Sequence, residues 1–172
     1  EAYHHIGVHQ ETFEPAYHAR DARVPDNDGP WSILHMPAAH AELPPGLPPV
    51  EGLEDWQARD LFASALYPHF LLGIQGSVVT WYQVFPESAG KLTLKIHICV
   101  PGTYTAFEGF DQIADEISHM VDAIHQEDIG ANDTVWKGLN APMTRQGRLS
   151  PLEKAIWQYN KWWLEKMSPE ER

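Results

Sequence analysis

A change of hydrophobic period near residue 110 constrains the fold of this chain more than any other feature. Before it, the segments at about 69–75, 77–85 and 91–100 read as strands separated by turn-like stretches. In the third segment apolar residues occupy alternate positions, at Leu92, Leu94, Ile96 and Ile98. After residue 110 the apolar residues recur at helical spacing, at Ile113, Ile117, Val121, Ile124 and Val135. The sequence therefore predicts an antiparallel meander followed by one long helix.

The remaining elements are read from local signals. A short strand is predicted near Trp31–Met36, within a segment at 14–52 that is rich in proline, glycine and aspartate and is predicted to be a covering loop. Residues 55–66 are compatible with a short helix. The final helix is predicted to start at Ser150, because a proline follows it and Glu153 completes a capping box.

Size, charge and cysteine content exclude several classes of protein. The 172 residues fit one domain, and no stretch approaches the roughly 20 apolar residues of a membrane span. The net charge of -12 repels phosphate, so nucleic acid is not expected as a partner. The single cysteine, Cys99, excludes an internal disulfide and an iron–sulfur cluster held by this chain alone, and it fits a reducing cytoplasm.

One polar residue interrupts the apolar stripe of the long helix. Asp128 lies on that stripe, where an ionised carboxylate is unfavourable unless a cation or a donor pairs with it. Far away in the chain, His4 and His9 are separated by four residues. Two histidines and one carboxylate are the ligand set of non-haem Fe(II) oxygenases. The residues alone leave two other interpretations open: hydrogen-bonded histidines at a helix end, and a capped or salt-bridged aspartate.

Three motifs together resemble a known family. The run from Glu1 to His9 is similar to the [DE]-x-x-H-x4-H motif in the catalytic domain of Rieske non-haem iron (ring-hydroxylating) oxygenase alpha subunits. The acidic pair Glu127-Asp128, followed by Gly138-Leu139, resembles the acidic pair and glycine-leucine step of that family. The stretch from Gly147 to Trp162-Trp163 resembles its closing helix.

The resemblance implies a fold and a set of site residues. The fold would be α+β, a helix-grip domain whose antiparallel sheet wraps around a long helix in the C-terminal half. His4, His9 and Asp128 would hold a mononuclear Fe(II) ion. Glu1 would be the carboxylate that bridges electron transfer from a Rieske cluster on a neighbouring subunit to the iron. The resemblance also implies a homotrimer or homohexamer, and a reductase or ferredoxin that supplies electrons.

The resemblance further implies that the chain is part of a longer protein. The Rieske domain, with the paired cysteines and histidines that hold its [2Fe-2S] cluster, is absent from residues 1–172, and the chain opens on Glu1 rather than methionine. We therefore expect a mononuclear-iron catalytic domain whose Rieske domain lies upstream.

The predicted activity is oxygenation of an apolar, aromatic small molecule by O2, as hydroxylation, dihydroxylation or oxidative demethylation. Ile117, Val121 and Ile124, on the same helix face as Asp128, and Trp81 on the sheet are the candidates for substrate contact. Two other classes of function stay open. One is a helix-grip domain that binds a hydrophobic small molecule without redox chemistry. The other is a zinc hydrolase with the same three ligands and Glu1 as general base.

Overall fold

The computed structural model describes residues 1–42 and 46–168. Residues 43–45 of the proline-rich segment, and Pro169, before which the last helix was expected to end, lie outside the described residues. The described residues form four α-helices and five strands. In chain order they are α1 (Ala2–Gly7), β1 (Trp31–Met36), α2 (Asp55–Arg59), β2 (Leu61–Leu66), β3 (Phe70–Gln75), β4 (Val78–Ser88), β5 (Lys91–Cys99), α3 (Phe110–Leu139) and α4 (Lys154–Met167).

The five strands form one antiparallel sheet in the order β1-β2-β3-β4-β5. Each strand therefore pairs with its neighbour in the chain, as the alternating pattern of the sequence predicts for a meander. Because side chains alternate between the two faces of a strand, the register fixes which residues share a face. Ile98 pairs with Thr80, and Thr80 pairs with Gly73, so these three lie on one face. We call this face the inner face.

Helix α3 lies across the inner face and runs antiparallel to β5. The helix has 30 residues, about 45 Å of length at 1.5 Å per residue. At its start, Phe110 and Ile117 share a small cavity with Ile98 of β5. At its other end Trp136 packs on Gly90 in the β4–β5 turn, where an added Cβ would lie 2.8 Å from the indole. The α+β helix-grip architecture is confirmed.

A small core anchors the N-terminal segment to β1. It consists of buried residues from α1, the following loop and β1, namely Ala2, Tyr17, Ala19, Leu34 and Met36. Leu152, just before α4, packs against this core. The capping box predicted at the start of the last helix is present, because the backbone N–H of Ser150 donates to Glu153 at 2.7 Å. These contacts place α1 beside the inner face.

The segment at 55–66 corrects the sequence prediction of a single short helix. The helix ends at Arg59, and Leu61–Leu66 is the second strand of the sheet. The chain changes from helix to strand at Asp60, whose backbone is extended. The Asp60 carboxylate accepts a hydrogen bond from the backbone N–H of Ala38 at 2.9 Å. Pairing with β1 and β3 on both sides outweighs the helical propensity of this alanine- and leucine-containing run. None of the described helices is both long and apolar enough for a membrane crossing.

Candidate metal centre

His4 is oriented by its own short helix. The Glu1 carboxylate caps α1 by accepting the backbone N–H groups of Tyr3 at 2.6 Å and His4 at 3.0 Å. The Nδ1 atom of His4 lies 2.7 Å from the backbone carbonyl oxygen of Glu1. A carbonyl oxygen only accepts, so Nδ1 carries the proton of the neutral ring. The lone pair of the ring is then on Nε2.

His9 is held in the same tautomer by a carboxylate. The side chain is buried, with 1% exposure, and its Nδ1 donates to Oε2 of Glu127 at 2.7 Å. The hydroxyl of Thr12 donates to the same oxygen at 2.8 Å. The hydrogen bonds from His9 and from Thr12 hold the pKa of Glu127 below its usual range. Because Nδ1 bears the proton, Nε2 of His9 also presents a lone pair.

Asp128 brings the third donor atom to these two nitrogens. Its Oδ1 lies 3.1 Å from Nε2 of His9 and 3.6 Å from Nε2 of His4. Ligand atoms of the three residues all lie within 4.8 Å of one another. Lone pairs on two neutral imidazoles and an ionised carboxylate repel at such distances unless a cation or a proton lies between them. The arrangement thus meets the electrostatic requirement of a cation site.

The donor set fits a divalent transition metal. Two ligand atoms that each bond the same metal ion at about 2 Å, with a right angle between the two bonds, lie about 3 Å from each other. The observed contacts of 3.1 and 3.6 Å to Asp128 are close to that spacing. Two imidazoles with one carboxylate suit Fe(II) with open coordination positions, and the same set also binds Zn(II). His5 is not one of the three donor residues. Its buried ring packs on Phe13, and burial lowers its pKa to about 3.

The three donor residues open onto a cavity of about 920 Å³. The cavity lies between the inner face of the sheet and α3. Leu34 and Ala63 are among the strand residues that line it, and Ile117, Val121 and Ile124 line it from the helix. A volume of this size holds a small organic ligand, which would lie directly beside the three donor atoms.

Comparison with known families agrees with this geometry. The family model described as "Ring hydroxylating alpha subunit (catalytic domain)" matches residues 1–169. The chain belongs to this family. No curated protein and no solved structure matches the chain.

Membership of the ring-hydroxylating alpha subunit family makes the chain an oxygenase catalytic domain. In this family the catalytic domain holds a mononuclear iron, and the Rieske cluster lies on another domain. The family also depends on electron-transfer partners and on oligomerisation. The structure brings His4, His9 and Asp128 together, while their roles as iron ligands in this ring-hydroxylating domain stay a prediction.

The candidate substrate residues divide into two groups. Ile117, Val121 and Ile124 lie in the cavity wall, and their contact with a substrate stays a prediction. Trp81 is not among the residues that line the cavity, and its contact with a substrate stays a prediction. Thr80 and Tyr82 line the cavity, so Trp81 between them projects from the opposite face of β4. There its ring stacks on His97 with centroids 4.7 Å apart.

Several residues at the site of this ring-hydroxylating domain are not predicted by the sequence. Glu127 stands out in the sequence only as the first acid of the pair with Asp128, whereas in the structure its carboxylate accepts a hydrogen bond from His9. No local pattern connects Thr12 to a residue 115 positions away. Tyr82 and His125 face each other in the cavity, with ring centroids 5.4 Å apart. His125 precedes Asp128 by three residues, but the sequence of β4 has no signal that pairs Tyr82 with His125.

Proposed function

We propose that this chain is the catalytic domain of an Fe(II)-dependent oxygenase that inserts oxygen from O2 into an apolar, aromatic small molecule. In this proposal His4, His9 and Asp128 hold the iron. The observation that supports the proposal is that one donor atom from each of these three residues lies within 4.8 Å of the other two, in the wall of the large cavity. Hydroxylation, dihydroxylation and oxidative demethylation all fit this geometry.

Ferrous iron, when bound, supplies vacant coordination positions at which O2 is activated beside the substrate. The protein contributes orientation and exclusion of water. In the neutral rings, the hydrogen bonds from His4 to the Glu1 carbonyl and from His9 to Glu127 leave the lone pair on each Nε2 atom. Such partners of ligating histidines fix the tautomer and the ring angle. Ile117, Val121 and Ile124 cover one side of the cavity with apolar surface.

Glu1 is the proposed bridge for electrons from a Rieske cluster carried by another domain. Its Oε1 lies 3.6 Å from Nδ1 of His4, so the carboxylate is adjacent to the outer edge of a proposed ligand. A reductase or ferredoxin would supply that cluster, and a homotrimer or homohexamer would bring the cluster of one subunit to Glu1 of the next. Glu1 therefore has two tasks in this proposal, capping α1 and conducting electrons.

Iron binding tests the proposal. Anaerobic reconstitution with Fe(II) should give close to one iron per wild-type chain, and almost none in His4→Ala or Asp128→Ala. His119→Ala and Asp115→Ala are matched controls, because both residues are exposed on α3 away from the cavity, and these variants should bind iron like the wild type. Circular dichroism should show that all four variants are folded. Full iron occupancy in His4→Ala or Asp128→Ala would contradict the ligand assignment.

Metal identity and chemistry separate the other two functions from this one. O2-dependent loss of an aromatic substrate, with an added reductant and loaded iron, supports the oxygenase. Tight zinc binding with hydrolysis and no O2 dependence would instead support a hydrolase with Glu1 as base. Ligand binding without any metal uptake would support a binding domain without redox chemistry.

A further inference from the structure

The cavity carries one polar pair on otherwise apolar walls close to the candidate metal centre. Tyr82 projects into it from β4 and His125 from α3, with ring centroids 5.4 Å apart and planes inclined by 41°. His125 precedes Asp128 by three residues on the same helix, and residues at this spacing are neighbours on one helix face. A group held by the pair would therefore lie one helical turn from the metal ligand.

Hydrogen bonding inside the protein leaves His125 as an acceptor. Its Nδ1 donates to the carbonyl oxygen of Val121 at 2.6 Å. In the neutral ring Nε2 then bears the lone pair, and no partner for Nε2 occurs among residues 1–42 and 46–168. The free nitrogen suits a ligand group that donates a hydrogen bond.

Tyr82 contributes a hydroxyl that stays protonated. Burial raises the pKa of this phenol and outweighs the lowering effect of a hydrogen bond with the Thr80 side chain, while the charge of Asp128 also raises it. Gly73, across the strand pair, leaves room for the hydroxyls of this region. A Cβ at position 73 would lie 2.5 Å from the Thr80 hydroxyl oxygen and 3.9 Å from that of Tyr82. A protonated phenol can both donate and accept, so Tyr82 complements a ligand hydroxyl.

Charge argues against an anionic ligand at this position. Asp128 lies one turn away, and in the metal-free chain its carboxylate repels a second negative charge. Among the described lining residues, Arg59 is the one lysine or arginine, and its guanidinium donates to the carbonyl oxygen of Ala41 at 3.2 Å. The polar pair is thus suited to a neutral hydrogen-bond donor rather than to a carboxylate.

We propose that Tyr82 and His125 form a subsite for a neutral hydroxyl group on the aromatic ring of the substrate. Nε2 of His125 would accept a hydrogen bond from that hydroxyl, and the Tyr82 hydroxyl would form a second hydrogen bond with it. The inference rests on the proposed function, because it makes a phenol the substrate class of that same oxygenase site. A hydrocarbon of the same shape would leave Nε2 of His125 without a hydrogen-bond donor, and the Tyr82 hydroxyl with Thr80 as its partner, which disfavours the hydrocarbon.

Binding of three para-substituted toluenes to the metal-free chain tests the subsite. The probes p-cresol, p-xylene and p-toluate share one ring and differ in a hydroxyl, a methyl and a carboxylate. We expect wild-type protein to bind p-cresol about tenfold more tightly than p-xylene, the effect of about one net hydrogen bond. Titration by NMR or calorimetry gives the dissociation constants without iron or turnover.

Variants connect the preference to the pair. Tyr82→Phe removes one oxygen atom, and His125→Leu removes the acceptor; each should bring the two affinities to within about twofold. Tyr159→Phe and His119→Leu are matched controls outside the cavity and should keep the wild-type preference. Equal wild-type affinities, an unchanged preference in Tyr82→Phe and His125→Leu, or tightest binding of p-toluate would each overturn the subsite.

Iron binding by the same variants separates the two proposals. Tyr82→Phe and His125→Leu should bind iron like the wild type, because neither residue belongs to the three-donor cluster. A wild-type chain that prefers p-cresol but binds no iron would overturn the oxygenase proposal and leave the hydroxyl subsite. A chain that binds iron but does not prefer p-cresol would overturn the subsite alone.

Discussion

At the scale of single residues, hydrogen bonds behind the two histidines decide what the site can bind. His4 and His9 both use Nδ1 for an acceptor of the protein, a carbonyl oxygen in one case and Glu127 in the other. Each ring therefore turns an unprotonated Nε2 toward Asp128. If Glu127 did not hold Nδ1, the His9 ring could place its proton on Nε2 and donate to Asp128 instead. We therefore propose Glu127 as a positioning residue for the candidate metal centre.

Glu127→Gln tests this positioning. The amide keeps the size of the side chain but loses its charge, so the hydrogen bond from His9 weakens and the tautomer is less firmly fixed. We expect the affinity for Fe(II) to fall about 10- to 100-fold, as is typical when a partner of a ligating histidine is changed. Equilibrium dialysis under anaerobic conditions measures it.

Glu116→Gln provides the matched control for that experiment. Glu116 lies on the same helix, is exposed and contacts Gln112 rather than a histidine. Its variant should bind iron like the wild type. An unchanged iron affinity in Glu127→Gln would show that Glu127 has no part in orienting His9.

At the scale of elements, the sequence predicts α3 and β5 well because each has one clear period, and it predicts β3 and β4 from the turn-like residues that separate them. The apolar stripe of α3 also places Asp128 on the cavity side. In β4, however, Val78, Val79, Trp81, Tyr82 and Val84 put apolar residues on both faces. The period of β4 therefore does not show which of its two faces is turned toward α3. The prediction of helix for residues 61–66 was wrong because their composition suits a helix and a strand equally. Pairing with β1 and β3 makes this segment a strand.

The contact between the β4–β5 turn and α3 gives a prediction about stability. A Cβ on Gly90 would lie 2.8 Å from Trp136, so Gly90→Ala must displace the indole or the turn. We expect a loss of about 1–3 kcal/mol in the free energy of unfolding, as is usual for overpacking. Denaturant unfolding followed by circular dichroism measures this loss.

Gly138→Ala is the matched control in the same helix. Nothing lies within 4 Å of the added methyl group, and alanine is the better helix former. This variant should gain up to about 1 kcal/mol. Equal stability changes in the two variants would contradict the contact between Gly90 and Trp136.

At the scale of the whole molecule, the site depends on two segments that lie more than 100 residues apart. His9 and Glu127 are 118 positions apart, and they meet because α1 packs beside β1 while α3 crosses the same face of the sheet. The sequence could indicate the ligand types, the spacing of the histidines and the stripe that carries Asp128. It could not indicate the partners behind the rings or the polar pair in the cavity, because these follow from how sheet and helix meet.

The most direct test of the central claim is a crystal structure of the protein soaked anaerobically with Fe(II) and recorded at the iron absorption edge. We predict one anomalous peak about 2 Å from Nε2 of His4, Nε2 of His9 and a carboxylate oxygen of Asp128. Iron bound elsewhere, with the Asp128 carboxylate out of bonding distance from the same ion, would contradict the account.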